Sequence, residues 1–273
     1  MNKKQLLLIS DLVGYGKVAT TAMLPILSYF GIPTCSLPTM LISNPFEYGD
    51  FHLLDTTDYI RGVFPVWKKM GFRFDAIATG YVVSQRQADL VSHFCQDMSA
   101  QGAMIFVDPV MGDEGQLYNG VEKDIIRNMR EMISVADICY PNYTEACLLT
   151  GRSYHAEGVT RDEARSLADH IRKIGSKSVL ITSIPVDGQP SVFGYNHETD
   201  EDFCLPYNEI PVHFPGTGDI FSAILIGHIL NGDKLQESTQ AAMDGVWRLI
   251  DKNKDQEDKN RGIPLEQNLA ELR

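Results

Sequence analysis

The sequence predicts an α/β fold: a central, mostly parallel sheet flanked by helices, with a small antiparallel hairpin at one edge. Three observations predict it. Short apolar runs of strand length alternate along the chain with longer stretches of helical spacing. Polar residues follow the apolar runs repeatedly, as they do where the carboxyl ends of parallel strands face a ligand. Late in the chain, Ser191–Tyr195 and Phe203–Leu205 flank the polar Asn196–Asp202, which is a hairpin pattern.

The elements follow in order. Leu6–Ile9 reads as a buried strand ending at Ser10-Asp11, before a helix over roughly 17–30. A strand near Thr34–Leu37 precedes a helix over about 55–70 and a strand at Asp75–Thr79, which Gly80-Tyr81 follows. A helix near 84–100 leads to the strand Met104–Val107, and Ala136–Tyr140 reads as the next strand. A helix near 161–174 has a capping box in Thr160 and Glu163, because each side chain can satisfy the other residue's backbone N–H. Val179–Thr182 is a strand that runs into Ser183. The charged stretch Lys252–Arg261 is expected to be an exposed connection before a last short helix. With no internal repeat and no linker composition, residues 1–273 are expected to form a single domain.

The chain has 273 residues, 44% hydrophobic and 22% charged, enough to bury a full core. A net charge of -12 opposes nucleic-acid binding, since no basic stripe offsets phosphate repulsion. Any phosphate handled here must be neutralised by metal cations and backbone dipoles rather than by a general positive field. The five cysteines, at 35, 95, 139, 147 and 204, are odd in number and include no C-x-x-C pair, so reduced thiols and a cytoplasmic location are expected. Lys3-Lys4 before Leu6–Ile9 imitates a signal peptide, but the apolar run stops too soon. No stretch has the length of a membrane span.

The chemistry concentrates in Phe214-Pro215-Gly216-Thr217-Gly218-Asp219, which leads into the apolar run Ile220–Ile226. Glycines let a backbone approach a ligand, and a helix start offers unpaired amides to an anion. Asp219 in that place is either a proton acceptor for a hydroxyl, with the amides of Gly216, Thr217 and Gly218 as an anion hole, or a helix cap. Asp108 and Asp113 bracket a turn containing Pro109 and Gly112. With Glu145 they offer oxygens suited to Mg²⁺, directly or through water. The bland alternative makes Glu145 the capping partner of Asn142. Gly14-Tyr15-Gly16 begins a dinucleotide fingerprint, but no acidic residue ends the next strand, so that reading is weak. There is no phosphate-binding G-x-x-x-x-G-K-[ST], and the seven histidines lack metal-ligand spacing.

Taken together, Asp108-Pro109-Val110-Met111-Gly112-Asp113, Pro141-Asn142-Tyr143-Thr144-Glu145 with Leu148-Leu149-Thr150-Gly151, Thr182-Ser183 and Gly216-Thr217-Gly218-Asp219 occur in an order that resembles the pyridoxal kinase branch of the ribokinase-like superfamily. The resemblance covers nearly the whole chain. It implies a ribokinase-like fold, a homodimer, and ATP-dependent phosphorylation of the 5′-hydroxymethyl group of a B6 vitamer. It also implies roles: Asp219 as catalytic base, Gly216–Gly218 as anion hole, and Asp108, Asp113 and Glu145 around Mg²⁺ and a monovalent cation such as K⁺. Asn142, Thr182, Ser183 and Tyr118 would lie by ATP, and Ser10 and Tyr81 by the pyridine ring. One segment departs from the family. Where a Ser-x-His-Thr-Gly-like stretch is usual, this chain has Ser43-Asn44-Pro45-Phe46-Glu47-Tyr48-Gly49, with Phe46 in place of the threonine beside the ring. The departure touches the substrate more than the reaction. The alternatives are a hydroxymethylpyrimidine or other hydroxymethyl-compound kinase, and a protein of the same fold that binds a vitamer or nucleotide without turnover.

Overall fold

A computed structural model of the chain describes residues 4–118 and 121–272. Lys3 lies outside them. Nine strands form one mixed, mostly parallel sheet with eight α-helices among the described residues, as expected from the alternation. A separate two-stranded ribbon completes the β-structure. The chain divides into two compact units: residues 1–56, 74–76 and 209–273, and residues 57–73 and 77–208.

The first unit begins with β1, Leu6–Val13, whose Leu6–Ile9 side chains are buried. The strand does not stop at Ser10-Asp11. It continues past them because it still pairs in parallel with β2, Thr34–Ile42, through a register shift between Ser10 and Leu12. That shift is a β-bulge, which re-aims side chains at a strand end. β2 likewise outruns its expected end and pairs antiparallel with β3, Leu53–Asp55, a short strand whose polar flanks hid it. Helix α1, Ala19–Tyr29, lies between β1 and β2. Helix α7, Thr217–Asn231, buries residues 220–227 without interruption, so it reads as a core helix rather than an amphipathic one. Gly227 lets α1 approach it, since a Cβ there would lie 2.9 Å from the Phe30 ring. Helix α8, Leu235–Asn253, packs on α7. The charged connection starts inside the end of α8 and holds a 3-10 turn, Lys259–Arg261, and the expected last short helix is instead two 3-10 turns, Leu265–Gln267 and Leu269–Leu272. Gly262 and Pro264 divide that stretch and deny it a continuous α-helical ladder.

In the second unit the strands run in the order β11-β10-β9-β8-β5-β4. Here β4 is Ala76–Thr79, β5 Met104–Val107, β8 Ile138–Cys139, β9 Ser178–Val186, β10 Gln189–Asn196 and β11 Glu201–Pro206. β5, β8 and β9 pair in parallel, and β10 and β11 extend the sheet antiparallel, which is the expected edge hairpin. The ribbon is β6, Gly112–Asp113, against β7, Gln116–Leu117, in place of the simple turn expected after Asp108. The helices are α2 (Thr57–Met70), α3 (Gln85–Ser99), α4 (Ile125–Ile133), α5 (Tyr143–Thr150) and α6 (Arg161–Ile174). α6 carries the expected capping box, with Thr160 and Glu163 bonded reciprocally. Phe64 of α2 stacks on Phe94 of α3 with centroids 4.1 Å apart.

Candidate functional site

The expected site residues fall in both units. In the first unit, Asp219 sits in the first turn of α7, behind the cap Gly216, whose φ is +86°. A side chain at Gly216 would be strained by that φ, and its Cβ would lie 2.6 Å from Lys17 O. Phe214, 1% exposed, anchors the approach, and Thr217 Oγ1 donates to its carbonyl at 3.2 Å. The first-turn amides of such a helix have no partner within it and carry the positive end of its dipole. The Asp219 carboxylate is held from outside its own helix: Ala19 N–H donates to Oδ2 at 2.6 Å. No local pattern in the sequence points to that contact, since the two residues stand 200 positions apart.

Ser10, also in this unit, is buried in β1, and its hydroxyl donates to Asp11 Oδ1 at 3.2 Å. Burial pushes the Asp11 carboxyl up to about 6, against the opposing pull of its own backbone and of Ser10. Phe46 opens the 3-10 turn Phe46–Tyr48 and packs edge-on against Phe51, with centroids 4.8 Å apart. Its ring is thus already engaged within its own loop. The loop is cross-braced: Asn44 Nδ2 donates to Asp50 O at 2.9 Å, and Tyr48 Oη donates to Asp258 at 2.5 Å. Tyr15 meets Tyr48 edge-on, with centroids 6.1 Å apart, and Arg261 lies 5.0 Å over the Tyr15 ring.

The second unit gathers Asp108, Asn142, Glu145 and Thr182. Asn142 caps α5 in a complete capping box with Glu145, so the bland alternative for this pair holds as geometry. Glu145 does more than cap. Its Oε2 accepts from Asn142 N–H and its Oε1 from Met111 N–H, each at 2.9 Å, which ties α5 to the segment after Asp108. Burial first, and the Asp108 charge second, hold the Glu145 carboxyl well above the usual range, while backbone donors pull the other way. Asn142 Nδ2 donates to Gly112 O at 2.8 Å, and Thr182 N–H donates to Pro141 O at 3.0 Å. Thr182 and Ser183 do not end a strand, as the sequence suggests. They lie inside β9, because the β10 pairing carries it on to Val186. Ser183 is exposed with φ +53°, a left-handed conformation rare for a non-glycine residue and often found where backbone meets ligand. Asp113 stands apart from this cluster in one respect: it is exposed on β6, and its Oδ1 accepts from Glu114 N–H at 2.8 Å. Tyr118 is 40% exposed just past β7, and its N–H donates to Met111 O at 3.0 Å. Tyr81 follows β4 and is half-buried. Thr144 has a role that its sequence context did not reveal: its Oγ1 accepts from Gly115 N–H at 2.8 Å and steadies the β6–β7 ribbon.

Mg²⁺ commonly binds through one or two carboxylates, waters and substrate phosphates rather than an all-protein cage. Among the described residues, no group of three or more His, Cys, Asp or Glu side chains is placed to hold a metal. The half-buried Asp108 beside the buried Glu145 fits the first kind of site: hard oxygen donors whose mutual repulsion a divalent cation would relieve.

The model of the phosphomethylpyrimidine kinase family matches residues 56–263. A putative phosphomethylpyrimidine kinase from Bacteroides thetaiotaomicron is 36% identical, superposes with a TM-score of 0.92, and is matched over 100% of this chain and 94% of that one. A second crystal form of that protein contains pyridoxal. The pyridoxal kinase of Lactobacillus plantarum is 26% identical with a TM-score of 0.87, over 98% of this chain and 96% of that one. The curated pyridoxal kinase of Arabidopsis thaliana is 30% identical over 183 residues, which is 64% of this chain and 57% of the plant enzyme's length.

Proposed function

Because the chain belongs to the phosphomethylpyrimidine kinase family, we propose that it is an ATP-dependent kinase of the 5′-hydroxymethyl group of a B6 vitamer. Pyridoxal, pyridoxamine and pyridoxine are its candidate substrates, and the product feeds pyridoxal 5′-phosphate salvage. The observation that carries this reading is pyridoxal bound in a 36%-identical relative matched along 99% of this chain.

Residues 1–273 act as one kinase domain. Asp219 takes the proton of the substrate hydroxyl. The hydroxyl oxygen forms a bond to the γ-phosphorus of ATP, and the bond from that phosphorus to the β,γ-bridging oxygen breaks, so ADP leaves. The amides of Gly216, Thr217 and Gly218 hold negative charge at the transferring group, where preorganised donors act without rearranging. Asn142, Thr182, Ser183 and Tyr118 bind the nucleotide, and Ser10, Tyr81 and Phe46 lie by the ring. Asp108 and Asp113 would hold Mg²⁺, with Glu145 reaching it through water, and K⁺ is a candidate monovalent ion. A bound Mg²⁺ neutralises phosphate charge, which a protein of net charge -12 does not supply through its overall field.

A second reading, hydroxymethylpyrimidine phosphorylation, is favoured by the names of the matching family and of the Bacteroides relative. A panel of the three vitamers and hydroxymethylpyrimidine, assayed for ATP-dependent phosphorylation, separates the two. Turnover of a vitamer at higher kcat/KM than the pyrimidine is expected. The reverse order would reassign the substrate and leave the kinase class standing. We also propose a homodimer in the cytoplasm, on the family resemblance and the absence of any cysteine pair. Light scattering should give twice the chain mass at micromolar concentration.

A further inference from the structure

Helices α1 and α7 of the first unit pack together. At one end the Phe30 and His228 rings lie 5.0 Å apart, and Asn231 Nδ2 donates to Phe30 O at 3.3 Å. At the other end Ala19 N–H donates to Asp219 Oδ2 at 2.6 Å. The two helices therefore run in the same direction, and both amino-terminal ends lie beside one carboxylate. Each end carries partial positive charge, which favours the ionised acid.

The donor in this contact is strained. Ala19 has φ +48°, a conformation that L-residues avoid because Cβ crowds the backbone. Such a residue persists where its surroundings over-determine it. Here Lys17 N–H donates to Arg261 O at 2.8 Å, and the Lys17 ammonium pairs with Glu266. Gly216 and Gly262 pass so close to Lys17 O that a Cβ on either would lie at 2.6 Å or 2.5 Å. Thr21 Oγ1 donates to Val18 O at 2.7 Å. The two residues before Ala19 are thus gripped by the stretch ahead of α7, by the segment around Arg261–Glu266 and by α1 itself.

We propose that Ala19 is a positioning residue: its constrained backbone aims one N–H at Asp219 Oδ2 and so fixes which way the carboxylate faces. The proposal rests on Asp219 as the base. It extends that reading to a residue whose side chain, a methyl group, has no chemistry of its own.

The test removes the donor alone. With L-lactic acid in place of Ala19, an ester replaces the amide and the methyl group stays. kcat should fall roughly ten- to hundred-fold, the worth of a hydrogen bond to a charged group. KM for ATP and for the vitamer should stay within about twofold. Ala19→Gly keeps the donor and relieves the strain, so it should hold kcat near the parent value with no loss of Tm. An ester protein with parent kcat, or a loss confined to KM, overturns the proposal. If the ester chain does not fold, Ala19→Val replaces it, since a β-branched residue resists φ +48° and turns the amide away. A fall in kcat at unchanged KM then supports the proposal, and parent kcat overturns it. Asp219→Asn assayed alongside separates the two failures. Parent turnover in that variant sinks the base itself, whereas an inactive Asp219→Asn beside a fully active ester protein sinks only the positioning role.

Discussion

Asp219 concentrates the chemistry at the scale of single residues. Asp219→Asn keeps the shape and loses the proposed proton acceptor, so turnover should fall roughly 10²–10⁴-fold with ATP binding retained, as isothermal titration can check. The acidic cluster makes a graded prediction. Asp108 is half-buried and its charge acts on the buried Glu145, whereas Asp113 is exposed and bonded to its neighbour's amide. Asp108→Asn should therefore raise the Mg²⁺ concentration for half-maximal rate by roughly tenfold, and Asp113→Ala should raise it less. A Mg²⁺ titration that ranks them in the opposite order would reassign the metal's main ligand. Asp11 gives a pH prediction. Its folded carboxyl is raised to about 6 from 3.8 by burial. Between those values the folded state holds a proton that the unfolded chain has released. This group's contribution to stability is therefore best below about pH 4 and worsens as pH rises to about 6. Asp11→Asn should raise Tm at pH 7.5 and change it little at pH 4, as calorimetry at the two pH values can measure.

At the scale of elements, the packing of α1 on α7 depends on Gly227. Gly227→Ala places a methyl group 2.9 Å from the Phe30 ring, and overpacking of that kind costs about 1–3 kcal/mol. Chemical denaturation should show the loss, even though alanine favours helix. What the sequence disclosed about elements follows from locality. Met104–Val107 and Arg161–Ile174 were legible because an unbroken apolar run and a capping box are written in adjacent residues. The ends of β1 and β9 were not, because their continuation past Ser10-Asp11 and Thr182-Ser183 is decided by pairing with β2 and β10. The site divides the same way. Gly216–Asp219 announces itself as glycine, helix start and carboxylate in four positions, whereas the Ala19 donor is a product of tertiary folding. Glu145 was legible as the capping partner of Asn142, and that box is formed. The loop at Ser43–Gly49 showed its departure from the family, but nothing local revealed that Phe46 is taken up by Phe51 or Tyr48 by Asp258.

At the scale of the whole molecule, no helix among the described residues is long and apolar enough to cross a membrane, and all five cysteines are unpaired. Burial pushes the Cys95 and Cys139 thiols up to about 12, so they are inert where the thiolate is the reactive form. A thiol reagent should count five groups in denaturant, and in the native protein should react first with the half-exposed Cys35 and Cys204. Fewer than five in denaturant would mean a bond or modification between cysteines. The first compact unit is assembled from three stretches, residues 1–56, 74–76 and 209–273, whereas the second draws nearly all its residues from 77–208. That discontinuity has a consequence for biosynthesis. A ribosome that has made residue 208 has delivered every residue of the second unit, yet the first lacks Asp219 and the clamp around Lys17. Domains tend to fold as their residues emerge, so the proposed nucleotide-binding residues of the second unit are completed first and the proposed base arrives last. On the proposed roles, an interrupted translation product would carry the means to hold ATP without the means to spend it.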